Sequence, residues 1–82
     1  ACGGWSVSTD HVVALSPQRY WSGGGTKCWS LIRVYYQGRY VDARVVDLCE
    51  TCQGDSIDLA ISAFEVLAHG YIGELLVGWE YR

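Results

Sequence analysis

Between Arg44 and Phe64 the chain reads R-V-V-D-L-C-E-T-C-Q-G-D-S-I-D-L-A-I-S-A-F, its one dense concentration of reactive side chains. A β-branched run ends at Asp47, Cys49 and Cys52 follow, and Asp58 leads back into apolar sequence. On structural grounds alone, carboxylates at a strand end and a helix start cap backbone N–H groups. Thiols at C-x-x-C spacing carry redox chemistry, supply half a metal site, or close a disulfide. No βαβ pattern surrounds this pair, which speaks against a redox motif. A metal site would need Cys2 and Cys28 to complete it, because His11 and His69 lie far from the pair and from each other. Structural disulfides are therefore expected of Cys2, Cys28, Cys49 and Cys52, with no metal and no cofactor.

The elements that must position these groups belong to a chain of 82 residues. That length makes a single domain, 1–82, whose core is marginal without a staple. Disulfides imply an oxidising compartment. A start at Ala1 and the absence of methionine read as a secreted, mature form without its signal peptide. No apolar run approaches ~18 residues, so no membrane span is expected. The net charge is −3 and the six basic residues are scattered, which excludes a nucleic-acid footprint. Six tyrosines and four tryptophans are a heavy load for this length, so some rings must face solvent or a ligand.

In order, 1–9 reads as a glycine-rich loop carrying Cys2 and Trp5. His11 to Ser16 is a short strand ended by Pro17, which donates no ladder bond. Gly23-Gly24-Gly25 is a flexible connection; without a G-K-[ST] ending it is not a phosphate loop. Cys28 to Tyr36 is a strand, Gln37-Gly38 its turn, and Arg39 to Leu48 its partner. Val41, Ala43 and Val45 alternate with Tyr40, Asp42 and Arg44, so one face is buried and the other wet. Pairing Tyr36 with Arg39 would set Cys28 opposite Asp47 and near Cys49. On that register, long-range bridges from Cys2 and Cys28 to Cys49 and Cys52 are favoured over Cys2–Cys28 with a local Cys49–Cys52. One helix is expected within Leu59 to Ala68, with Ser62 and Glu65 as a capping box, Asp58 near its positive end and Gly70 as its stop. Glu74 to Tyr81 is a terminal strand that turns Leu75, Val77, Trp79 and Tyr81 inward. About four strands and one short helix suggest a small β-barrel.

The order and spacing of V-V-D-L-C-E-T-C, S-I-D-L-A-I-S-A-F and V-G-W-E-Y, with A-C-G and V-V-A-L-S upstream, resemble small double-psi β-barrel domains. These are the barrels of expansins, loosenins, barwin, kiwellins and the rare-lipoprotein-A group. V-A-L-S through A-R-V-V-D is especially kiwellin-like, and the C-x-x-C with I-D-L is closer to loosenins. The resemblance covers nearly the whole chain and implies a mostly β, six-stranded-type double-psi β-barrel with one short helix. Two departures stand out. The family's strand before A-C-G, with its groove-facing Thr and Tyr, is not among these residues, and an unpaired edge there would invite association of an otherwise monomeric domain. The family's Ser-Pro after D-L is Ala60-Ile61, which shifts the expected helix start towards Ser62.

On this resemblance Asp47 and Asp58 correspond to the acids lining the expansin-like groove. The implied function is binding of cell-wall polysaccharide without hydrolysis, with Trp5, Tyr20 and Trp21 as stacking rings beside the acids. Trp29, Tyr35 and Tyr40 are further members of an open aromatic face. A kiwellin-like or protease-inhibitor-like module with a protein partner is the alternative. An enzyme of lytic transglycosylase or endoglucanase type, with Asp58 as proton donor and Asp47 as second acid, is the third reading.

Overall fold

The structure is a computed structural model that describes residues 2–3, 11–68 and 77–82. Its strands are β1 (Val12–Leu15), β2 (Leu31–Tyr36), β3 (Arg39–Leu48), β4 (Ile57–Leu59) and β5 (Gly78–Tyr81). They form one sheet in the order β4-β1-β3-β2-β5. Helix α1 (Pro17–Tyr20) follows β1, and α2 (Ile61–Leu67) follows β4. The sheet curls into a half-barrel.

The hairpin of β2 and β3 forms because alternation and turn chemistry agree. Gln37 and Gly38 both adopt positive φ, 47° and 79°, the combination a two-residue turn needs to match strand twist. Tyr36 opposes Arg39 as the sequence suggests, and Ile32, Val34, Val41 and Ala43 fall on one buried face. Val13, Leu15 and Val45 continue that face, and Ala63 and Leu67 of α2 close over it.

The ladder between β1 and β3 is parallel and irregular. Val13 pairs with Val45, but Ala14 pairs with Asp47, so Val46 is an extra residue on β3. Such a bulge shifts the alternation by one and re-aims everything after it. Asp47 would otherwise share the buried side of Val45; the bulge turns it to the outer side.

Several expectations need correction. Ser16 and Pro17 do more than end β1: the Ser16 hydroxyl accepts the Arg19 N–H and Pro17 occupies the first turn of α1, a helix the sequence reading did not include. Helix α2 starts at Ile61, with Ala60 in the cap place and no side-chain cap bond. The Ala60 N–H bonds the Val12 carbonyl, so the helix springs directly from the β4 ladder and Ser62 lies inside its first turn. No acid occupies that turn; Asp58 sits in β4. The helix ends before Ala68, and Gly70, His69, Glu74 and Leu75 lie outside the described residues. Trp79 is half-buried as a core residue should be, whereas Tyr81 is exposed because β5 pairs only with β2 among the described residues.

The cysteine pairing is also corrected. Cys2 is bridged to Cys28, and Cys49 to Cys52. Trp29, at φ 68°, turns the chain off the ladder before it reaches Cys28. Cys2 meets it there, held by a 3.1 Å bond from its N–H to the carbonyl of the bulge residue Val46. Cys49 and Cys52 instead close a tight turn, with the Cys52 N–H on the Cys49 carbonyl at 3.2 Å.

Candidate functional site

Asp47 and Asp58 are both register partners of Ala14, one from each side. Directly paired residues point to the same face of a sheet. The two acids therefore flank Ala14 on the outer face, with their Cα atoms about 9–10 Å apart, two strand spacings. Both are exposed. The main chain sets this row: β4 is only three residues long, and its Ile57 and Leu59 turn inward against Leu15 and Val13, leaving Asp58 outward. The Leu48 N–H donates to Asp47 Oδ1 at 2.8 Å, so Asp47 also serves its own backbone, as the capping alternative anticipates.

The floor beneath the row is held from the side. Ser16 is fully buried, and its hydroxyl donates to the carbonyl of Gly54. Gly54 adopts φ 60°, a turn conformation that residues with a side chain resist. Beside it Asp55 accepts from Arg19 Nε at 2.6 Å, and its carbonyl accepts from Trp79 Nε1 at 2.8 Å. The Arg19 guanidinium lies 5.5 Å from the Trp79 ring centroid. These bonds tie α1, the 53–56 turn and β5 together and fix the loop that leads to Asp58.

The aromatic residues divide sharply. Tyr20 is only 2% exposed; its ring fills the core and its hydroxyl stands 3.2 Å from Cys28 Sγ. It packs against the staple and is not a stacking surface for sugar. Trp21 is exposed, resting edge-on against Tyr20 with centroids 4.9 Å apart. Trp5 lies outside the described residues. Trp29 is tied by its backbone to β3 next to the bulge. Its N–H bonds the Val45 carbonyl at 2.7 Å, just before the bulge, and its carbonyl takes Arg44 Nη1 at 2.9 Å. Its ring is exposed. The left-handed backbone at Trp29, costly for a bulky residue, has no signal in the sequence that would have singled it out.

Among the described residues, no three of His, Cys, Asp or Glu gather where they could hold a metal ion. No described helix is long and apolar enough to cross a membrane. The two disulfides fit an oxidising environment.

No family model and no curated protein matches the sequence. Solved structures do share the fold. The expansin of Clavibacter michiganensis, in its apo form, superposes with a TM-score of 0.77 over 88% of this chain, at 25% identity. The Streptomyces papain inhibitor superposes with a TM-score of 0.69 over 82% of the chain, at 26% identity. The chain spans 35% of the expansin's length and 66% of the inhibitor's.

Proposed function

We propose that this chain, a double-psi β-barrel domain related in structure to an expansin and to a papain inhibitor, is a secreted module that binds cell-wall polysaccharide on its outer face without cleaving it. The observation that carries this reading is the row Asp58, Ala14, Asp47. Two carboxylates on the strands that flank β1, with the small side chain of Ala14 between them, leave a shallow gap. Sugar hydroxyls donate to the two carboxylates, and charge-assisted bonds of this kind are roughly twice as strong as neutral ones. The exposed Trp29 ring at the bulge offers a flat apolar partner for the sugar CH face. Hydroxyls captured here are withdrawn from neighbouring polymer chains, and polymer–polymer contacts loosen.

Hydrolysis is less well supported by the same geometry. The proton donor of a glycan-cleaving site sits against enclosing apolar walls, whereas Asp58 stands exposed on a three-residue strand.

The second reading is a protein-binding module that occupies a protease. The likeness to the papain inhibitor favours it, since this chain accounts for more of that protein than of the expansin. The exposed Trp21 and Trp29 suit a protein hot spot as well as a sugar.

One experiment separates the readings. The protein is incubated with insoluble cellulose and chitin, and with papain, while soluble reducing ends are monitored. Retention that is lost in Asp47→Asn/Asp58→Asn, with no reducing ends released, is the expected result. Clean flow-through from both polymers with papain inhibited would replace it by the protein-binding module. Steady release of reducing ends, abolished by Asp58→Asn, would establish the enzyme.

A further inference from the structure

The outer face of the β2–β3 hairpin carries a second surface that the acid pair does not use. Tyr35 and Tyr40 are direct cross-strand partners with ring centroids 6.4 Å apart. They are 39% and 54% exposed. On the other flank of Tyr35 the register places Gly78 of β5, where an added Cβ would meet nothing within 4 Å. Glycine weakens a strand; its effect here is to leave that side of the Tyr35 ring uncovered.

The neighbouring row on the same face, Asp42, Arg33 and Glu80, holds the rings in place. Arg33 donates to both Asp42 oxygens, at 2.7 and 3.1 Å, and its guanidinium lies 4.2 Å from the Tyr40 ring centroid. The Tyr35 hydroxyl donates to Glu80 Oε2 at 3.1 Å, and Arg82 bonds the same oxygen at 3.2 Å. Rings fixed before a ligand arrives lose little rotamer freedom on binding. Each charge in this row has its opposite beside it, so the patch presents aromatic faces and hydroxyl edges with no net charge. An ionic partner gains little from such a surface. A neutral polymer with alternating CH faces and hydroxyls matches it in both respects.

We propose that Tyr35 and Tyr40, bordered by Gly78, form a second contact that stacks on the sugar rings of a neutral polysaccharide. The inference rests on the polysaccharide reading given above. Tyr40 lies near the start of β3 and Asp47 near its end, about 20 Å away along the strand. A long polymer engages both contacts, and the second becomes an intramolecular event. A short oligosaccharide engages one.

The test compares wild type, Tyr35→Ala/Tyr40→Ala and Gly78→Thr for retention on insoluble cellulose and chitin, for affinity towards short soluble oligosaccharides, and for papain inhibition. Gly78→Thr fills open space with a residue suited to a strand, so it covers Tyr35 while the fold stays intact. Both variants should lose about tenfold or more in polymer retention. The oligosaccharide affinity of the acid pair and the thermal midpoint of Gly78→Thr should be undiminished. Undiminished polymer retention in Gly78→Thr would overturn the tyrosine contact and leave the acid-pair reading standing. A wild type that binds no glycan would overturn the polysaccharide reading itself, and this contact with it. Loss of papain inhibition with polymer retention intact would assign the surface to a protein and overturn the glycan assignment.

Discussion

The two ends of β3 are built on different rules. From Arg39 to Arg44 the strand runs antiparallel to β2 in unbroken register, behind a two-residue turn. Its outer side chains are locked by neighbours on the same face, as Arg33 locks Asp42 and Tyr40. From Val45 to Leu48 it runs parallel to β1, carries a bulge, and takes backbone bonds from two loops, at Cys2 and Trp29, while Cys49 just beyond it bonds the Leu15 carbonyl of β1. Regular pairing makes a surface whose layout follows from alternation. An inserted residue makes a surface that alternation would place on the wrong side. Asp47, one of the two acids in the proposed binding row, owes its position to the irregular end.

Removing the irregularity should have the largest effect. Inserting one alanine between Val13 and Ala14 of β1 gives Val46 a partner, restores strict one-to-one alternation and drives Asp47 toward the buried face of Val45, where a carboxylate costs several kcal/mol. That is a large share of a small domain's stability, so circular dichroism should show no cooperative unfolding transition. Normal unfolding would mean that the bulge is not what aims Asp47.

The disulfides sharpen the contrast next. Cys2–Cys28 closes a sequence separation of 26 at the bulge, and Cys49–Cys52 a separation of 3 beyond it. By loop entropy, Cys2→Ser/Cys28→Ser should cost about 3–4 kcal/mol and Cys49→Ser/Cys52→Ser about 1–2 kcal/mol, read from urea midpoints. Equal losses would indicate that the short bridge secures more than its own turn.

The smallest effect lies at the regular end. The hydrogen bond from Arg33 holds the Asp42 carboxyl below its ordinary range, outweighing partial burial. A folded value below the unfolded one, ~3.9, means the pair stabilises the fold above that pH, and the contribution is lost as pH falls through the folded value. The stability gap between wild type and Asp42→Asn should be constant above about pH 5 and vanish in stronger acid. Because both partners are partly exposed, the gap is small. A gap that widens on acidification would contradict the pairing.

Much of the regular end was legible in the sequence. Period-two alternation and Gln37-Gly38 placed β2, β3 and their register, because local pairing and turn chemistry decide both. The barrel fold was legible in the order of short motifs, each weak alone. The cysteine pairing was not, because it depends on where the ladder stops, and the left-handed turn at Trp29 leaves no mark in residue type. Tyr20 and Trp21 are chemically alike and adjacent, yet one fills the core and the other faces solvent. Helix α1 separates them, and the Ser16-Pro17 pair that starts it was a readable signal.

The row Asp58, Ala14, Asp47 is tested most directly by Ala14→Arg. A guanidinium between two carboxylates on one face pairs with both, which should leave the thermal midpoint level or higher and abolish retention on the insoluble polymer. A folded Ala14→Arg protein retained as strongly as wild type would show that the two acids do not form one binding surface.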